Sequence, residues 1–374
     1  MSSKKEQLKR LLSLKRLWLL LTLPVSILLY VLAHAFPAFA EFWARYVYVI
    51  FSHLFHSATK GAPVSVAEIA VFVAPILVLV MVILGIVHIV RSPGNRLYAG
   101  LKAFVVEPSL IASILLLIFM VNCGVNYGRL PFADACGLEV RESSAAELQA
   151  LCLDLIDSAN KLRESLPEDE NGVMQLSDSV KDTGETARQA FEVLSKSFPT
   201  LPEGYGTPKA VMASRGMSYL NITGIFFPFT MEANVNVDVV DYNIPFTMCH
   251  ELTHLRGYMR EDEANFVAYL ACLASMDKDF NYSGALSAFI YSINALEQAD
   301  PERAAAVYPH ISEAVWRDLN ANNAYWQQFE TPLAEVSSNV NSAYLQANGT
   351  EDGVQSYGRM VDLLLAWRRA GGVV

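Results

Sequence analysis

Three long apolar runs fill the first third of the chain, and beyond them polar and apolar positions recur mostly at helical spacing. The first run, Leu17 to Phe36, is about 20 residues long, enough for a helix to cross a hydrocarbon core of roughly 30 Å. The second, Ile69 to Val90, is opened by Ser65-Val-Ala-Glu68, a capping-box pattern. The third lies between Leu101 and Val125, and Glu107-Pro108 predicts a bend near one end. These runs predict spans at about 17–36, 69–90 and 104–125. Ala38-Phe39-Ala40 is a weak cleavage signal, so the first run is expected to remain as an anchor and not to leave as a signal peptide. Residues 42–56 are aromatic throughout and charged only at Arg45, the pattern of a helix lying in the headgroup layer. His53 and His56 stand one turn apart in it without a nearby carboxylate and are expected to be interfacial residues, not ligands.

From residue 126 onward the pattern predicts a water-facing unit. Ser143 or Ser144 caps a helix reaching about Leu166, Pro167-Glu-Asp-Glu-Asn-Gly172 breaks it, and residues 176–197 again place apolar positions at helical spacing. The period then changes. Gly204, Gly206, Pro208, Gly216, Gly224 and Pro228 punctuate short β-rich runs, Met217 to Phe227 and Asn234 to Val240, which predict a small sheet. Asn243-Ile-Pro245 opens the next helix, with Pro near the first turn where a missing N–H costs nothing. After Ala274 helices are expected over about 283–298, 300–307, 312–346 with a break at Thr331-Pro332, and 353–369.

Composition changes this picture in two ways. With 53% apolar residues the 374-residue chain is too oily for an ordinary soluble enzyme. Its net charge of −10 is divided: residues 1–125 carry 11 Lys+Arg against 4 Asp+Glu, and the rest carry 17 against 34. Lys4, Lys5, Lys9, Arg10, Lys15 and Arg16 precede the first run, while Arg91, Arg96 and Lys102 separate the second from the third. The excess of positive charge puts both segments in the cytoplasm, so three crossings carry residues 126–374 to the outside. The expectation is a cell-membrane protein with a cytoplasmic N-terminus, a membrane domain over 1–125 and an extracytoplasmic domain over 126–374. No basic stripe exists to neutralise phosphates, which excludes nucleic acid and leaves the lipid bilayer as the first partner.

The candidate chemistry sits in one stretch, Cys249-His250-Glu251-Leu-Thr-His254-Leu-Arg-Gly257, followed by Glu261-Asp-Glu263-Ala-Asn265. On a helix His250 and His254 lie one turn apart on the same face, so two imidazoles converge on one ion, expected to be Zn2+. Glu251, next to the first ligand, is placed to act as general base on a zinc-bound water. Gly257 is suited to a left-handed cap that turns the chain back, bringing the following acids beside the histidines. Glu261 is favoured as third metal ligand, with Glu263 the alternative, and Asn265 four residues later can support a ligand by hydrogen bonding.

The run from Glu261 through Asn265 resembles the Glu-x-x-Ala-Asp/Asn helix of gluzincin-type HExxH zinc metallopeptidases, which implies Glu261 as their zinc ligand. Only six residues separate His254 from Glu261, fewer than gluzincins usually place there. Metzincins share the Gly257 position, but their third ligand falls on Arg260, which cannot bind a cation. Over the whole chain, Asn126-Tyr127-Gly-Arg129, the His250 to Ala268 block, and Tyr344 to Gly349 with Gly353 to Arg359 resemble an uncharacterised bacterial membrane protein family, domain of unknown function 3810. The zincin resemblance implies a mostly helical α+β domain with a small sheet. Its edge strand, sought within Gly224 to Asn236, would pair with substrate backbone. Zincins also use a Tyr, His or Arg against the oxyanion, so Tyr308, His310, Tyr357 and Arg359 are of interest, and the family resemblance singles out Tyr357 and Arg359.

The function expected is hydrolysis of a peptide bond in an envelope or extracellular protein or peptide, with Glu251, Tyr357 and Arg359 catalytic and His250, His254 and Glu261 on zinc. A membrane-tethered zinc-binding sensor or interaction protein without proteolytic activity is the alternative. Of the five cysteines, Cys249 and Cys272 flank the predicted helical hairpin and either bridge it or remain buried thiols.

Overall fold

The computed structural model describes residues 3–350 and 359–373. The fold is mainly helical. Among the described residues three helices are long and apolar enough to cross a membrane: Lys15–Ala35, Val66–Val90 and Arg96–Asn122. Ile76, Leu77, Val78 and Leu79 of the second are all exposed, as suits a helix apolar all round whose solvent is lipid. The first and third spans pack together, and the second leans on the start of the third, where Gly85 accommodates the Phe104 ring. The third begins earlier than its apolar core suggests because Arg96–Leu101 is itself helical and runs on into it. It ends at Asn122, where Cys123 leaves helical geometry and Gly124–Gly128 makes a tight buried turn.

The start of the second span is only half a capping box. Ser65 Oγ accepts the Glu68 N–H at 2.9 Å, but Glu68 does not return to the cap. Its carboxylate instead accepts the N–H groups of Met212 (3.0 Å) and Ala213 (2.8 Å), tying the span to the sheet.

Between the first and second spans, Pro37–Phe42, a widened turn at Trp43–Tyr48, and Val49–Thr59 form one helical rod. The apolar and aromatic positions behind the expectation of a headgroup-layer helix are divided between two faces. Phe42, Tyr46, Ile50 and Leu54 are exposed at i, i+4 intervals, whereas Ala44, Tyr48, Ser52, His56 and Thr59 are buried beneath the C-terminal unit. Polar partners there account for the difference. Ser52 Oγ meets Tyr205 Oη at 2.7 Å, and Thr59 Oγ1 donates to the Thr230 carbonyl at 2.9 Å. Gly206 N–H donates to His56 Nε2 at 2.7 Å, leaving His56 Nδ1–H to donate to the Met231 carbonyl at 2.9 Å.

The C-terminal unit wraps helices around a shared core. The helix Asn243–His254 packs on Glu261–Ala274, with Val180–Ser197 and Lys278–Ala299 against them and Ala145–Arg163 beyond. The same core takes in Tyr48, Cys123 and Tyr127, so it crosses the boundary expected at residue 125. Beside it lies a three-stranded mixed sheet in the order β1 (Lys209–Ala210), β3 (Glu232–Val235), β2 (Gly224–Phe227). β1 runs parallel to β3 and β2 antiparallel, pairing Gly224 with Val235 and Phe227 with Glu232. The sheet is smaller than the β-rich pattern predicted, since Ser214–Tyr219 closes as a helix and strand character returns only at Gly224.

Candidate metal centre

Three elements build the site. The helix Asn243–His254 carries the two histidines, and its start is held by Phe246 N–H donating to Ser283 Oγ at 3.0 Å. Its end is set by Gly257, whose φ of +85° favours glycine and reverses the chain. That reversal has a chemical effect: it presents the Tyr258 carbonyl to His254 Nδ1–H at 2.8 Å. It also starts the helix Glu261–Ala274 alongside, so that Asn265 Oδ1 accepts His250 Nδ1–H at 2.8 Å.

With both Nδ1 atoms donating, both Nε2 atoms are left as lone pairs, and they point at each other. His250 Nε2 and His254 Nε2 are 3.0 Å apart, and Glu261 Oε2 lies 3.1 Å from the first and 3.6 Å from the second. Three ligand atoms crowded so closely form a cradle for a cation, whether a metal ion or a proton. Ligands of a tetrahedral zinc at ~2.05 Å stand about 3.3 Å apart, which this triangle matches. Among the described residues this is the one convergence of three such ligand groups. Burial alone would push the Glu261 carboxyl up, but the two imidazoles hold it far below the ordinary range. Burial likewise opposes charge on His254, yet Glu261 beside it raises that imidazole to about 9.

Glu251 is 4% exposed, and its Oε2 atom has no hydrogen-bond partner. Burial raises its proton affinity, the imidazoles oppose that rise, and the charge on Glu261 adds to it. The carboxylate lies against β2. A Cβ built on Gly224 would come within 2.5 Å of Glu251 Oε1, and the Phe226 N–H donates to the carboxylate. β2 is an edge strand. Asn236 N–H donates to the Thr223 carbonyl at 2.8 Å, so by alternation Thr223, Ile225 and Phe227 face β3 while Gly224 and Phe226 turn their backbone groups to the open edge.

The structure separates the remaining candidates. Glu263 is buried, but its Oε1 accepts the Phe132 N–H and an Arg260 N–H, each at 2.6 Å, so Glu261 closes the triangle and Glu263 does not. Tyr357 lies outside the described residues. Arg359 is exposed, with its guanidinium 4.0 Å from the Asp262 carboxylate. Tyr308 donates to Glu297, and the His310 carbonyl accepts from Asn160, both away from the ligand helices. Cys249 and Cys272 are buried free thiols.

Several supports escaped the sequence reading. Tyr291, half-buried and with its hydroxyl pushed up to about 12 by burial, lies beside the Asn265 side chain. Tyr48 Oη–H donates to the Leu255 carbonyl at 3.0 Å, and Arg129 donates to the Gly257 carbonyl at 3.1 Å while pairing with Glu41 at 3.1 Å. Asn126 Nδ2 would lie 3.0 Å from a Cβ on Gly257. The resemblance through Asn126 to Arg129 was the available signal, because these residues brace the metal loop.

Fold and site together define a protein with three candidate membrane-spanning helices and a two-histidine, one-glutamate cluster beside the edge of a small sheet. Residues 43–365 match the model of a family described as protein of unknown function (DUF3810), and the chain belongs to that family. No curated protein and no solved structure matches it.

Proposed function

We propose that this chain is a membrane-anchored zinc metallopeptidase of zincin type whose site faces the outside of the cell. The observation that carries the proposal is the convergence of two imidazole lone pairs and Glu261 within 3.0–3.6 Å, beside a glutamate buried against an open strand edge. His250, His254 and Glu261 would hold zinc, which when bound supplies a Lewis acid and lowers the pKa of a water towards ~7. Asn265 and the Tyr258 carbonyl hold the Nδ1 protons, so that both Nε2 atoms face the metal position, which zinc would take by displacing the proton that Glu261 favours on His254. Glu251 takes a proton from the attacking water and delivers it to the departing amine, and its raised proton affinity suits both transfers. The outward backbone groups of Gly224 and the Phe226 carbonyl hold an extended peptide by strand addition.

The outside placement is supported by the basic N-terminal segment and the basic loop between spans two and three, which meet on one side. Gln7 Oε1 accepts the Tyr98 N–H at 3.0 Å, and the Arg10 guanidinium lies 4.7 Å from the Tyr98 ring centre. A zinc-binding protein without proteolytic activity is the second reading, favoured by how completely Glu251 is enclosed. One pair of measurements separates them. Purified wild type and Glu251→Gln should each hold one zinc per chain, and only wild type should cleave a denatured-protein or peptide-library substrate. Equal cleavage by both refutes the assigned base, and zinc without cleavage by either supports the second reading.

A further inference from the structure

The edge strand beside the metal triangle is built onto the outer ends of the membrane spans. Glu232 of β3 accepts the N–H groups of Val66 (3.2 Å) and Ala67 (2.7 Å), free donors in the first turn of span two, and Ser65 Oγ–H donates to Asn234 Oδ1 at 2.6 Å. β2 therefore lies one strand spacing, about 4.8 Å, from residues bonded to the start of a span. The turn after β2 is held just as directly. Asn122, the last residue of span three, donates through Nδ2 to the Pro228 carbonyl at 2.9 Å, and Thr59 donates to the Thr230 carbonyl at 2.9 Å. The rod through residues 37–59 lies under the metal loop, with Tyr48 on the Leu255 carbonyl. Its opposite face, Phe42, Tyr46, Ile50 and Leu54, is the apolar and aromatic surface of a helix half-sunk in headgroups, continuous with the lipid-facing span before it.

We infer that the site acts on membrane-anchored polypeptides, on the residues next to the bilayer, a reading that rests on the peptidase function proposed above. A strand added to β2 lies about two strand spacings, ~10 Å, from β3, whose Glu232 and Asn234 side chains are bonded to the residues that open a span, and an extended chain covers about 3.3 Å per residue. About five residues therefore take a polypeptide from the end of its own membrane anchor to this edge. The bond offered to Glu251 is then within about five residues of the anchor. Confinement to the same bilayer raises the local concentration of such a substrate, and the closeness of β2 to the span ends selects the position of cleavage.

The test uses full-length, zinc-loaded protein in liposomes with a library of single-span peptides, each carrying a random 30-residue tail on the side of the metal site. The cuts are mapped by mass spectrometry, with the same tails lacking the anchor as comparison. The expected result is at least tenfold more cuts per bond in the first five tail residues than further out, and at least tenfold less cleavage of unanchored tails. Cuts spread evenly along the tail, or equal cleavage of unanchored tails, overturn the inference and leave the peptidase standing; no cleavage of any tail removes both. A measurement independent of activity reads placement alone. A fluorophore on Ile225→Cys, an exposed β2 position, should be quenched at least twofold by headgroup-nitroxide lipids, and absence of quenching overturns the inference whatever the cleavage pattern.

Discussion

On the proposed zinc-site reading, the hydrogen bond between Asn265 and His250 sets the availability of one metal ligand, and replacing Asn265 by Ala should expose its weight. In the native site His250 Nδ1–H donates to Asn265 Oδ1 at 2.8 Å, and Asn265 is 1% exposed, so water cannot replace the lost acceptor without a rearrangement. Leaving a buried donor unsatisfied costs about 1–3 kcal/mol. At 1.4 kcal/mol per tenfold this becomes about a 5- to 140-fold loss in zinc affinity, overlapping the 10- to 100-fold typical for outer-shell partners of metal-bound histidines. Part of the loss comes from the tautomer: an imidazole without an acceptor at Nδ1 is free to carry its proton on Nε2, where it cannot bind a cation. Asn265→Asp retains an acceptor in the same place and adds charge, so its affinity should equal or exceed wild type. The assay is competition against a fluorescent zinc chelator of known affinity at fixed pH and ionic strength. An Ala variant within twofold of wild type would refute the coordination scheme, because His250 would then not depend on the group that orients it. So would an Asp variant as weak as Ala.

Further outcomes follow from neighbouring contacts. Gly224→Ala should keep the metal yet lower peptide cleavage by about 10²-fold or more, because the new Cβ would meet Glu251 Oε1 at 2.5 Å and Thr247 Cγ2 at 2.8 Å and displace the base; zinc content and cleavage rate measured on one preparation check it. Gly257→Ala combines a φ of +85° with contacts at 3.0 Å to Asn126 and Tyr48, costing about 1–2 kcal/mol or more, and should lower both the thermal midpoint and zinc affinity. His56 is held below its ordinary 6.5 chiefly by burial, and its neutral ring both accepts from Gly206 and donates to Met231. The unfolded chain binds the proton first, so the contribution of His56 to stability is complete above pH 6.5 and is lost as the pH falls from there towards the lowered folded value. His56→Gln can make both hydrogen bonds without titrating. Its thermal midpoint should therefore fall less than wild type between pH 7 and 5, and an identical fall would count against the assignment.

The convergence of His250 and His254 was legible because four-residue spacing on a helix is a local property, and the reversal at Gly257 was legible because few other residues tolerate a φ of +85°. The sequence favoured Glu261 but did not exclude Glu263. Both occupy one helical turn, and the decision is made by the Phe132 backbone N–H, about 130 residues earlier in the chain, together with Arg260. The rod at 37–59 failed in another way. Its aromatic content suggested a membrane surface, but Tyr48, Ser52, His56 and Thr59 bury a face whose partners come from residues 205–255 and leave no local signature. The strands were blurred for a related reason. In Met217 to Phe227 composition favours β throughout, while packing on Asn236 and Tyr325 keeps Ser218 helical, with Asn236 Nδ2–H donating to Ser218 Oγ at 2.9 Å.

The core that runs from Tyr48 through Cys123 into the ligand helices also decides how this protein can be dissected. A fragment starting at residue 126 would strip away Tyr48, on which the Leu255 carbonyl rests, and Glu41, which pairs with the Arg129 that holds the Gly257 carbonyl, and would bare Tyr205 and Met231 to solvent. Such a piece should precipitate or lose its cation even though it retains every coordinating side chain. A water-soluble version worth crystallising must graft the 37–59 rod back on, with Phe42, Tyr46, Ile50 and Leu54 recast as hydrophilic residues.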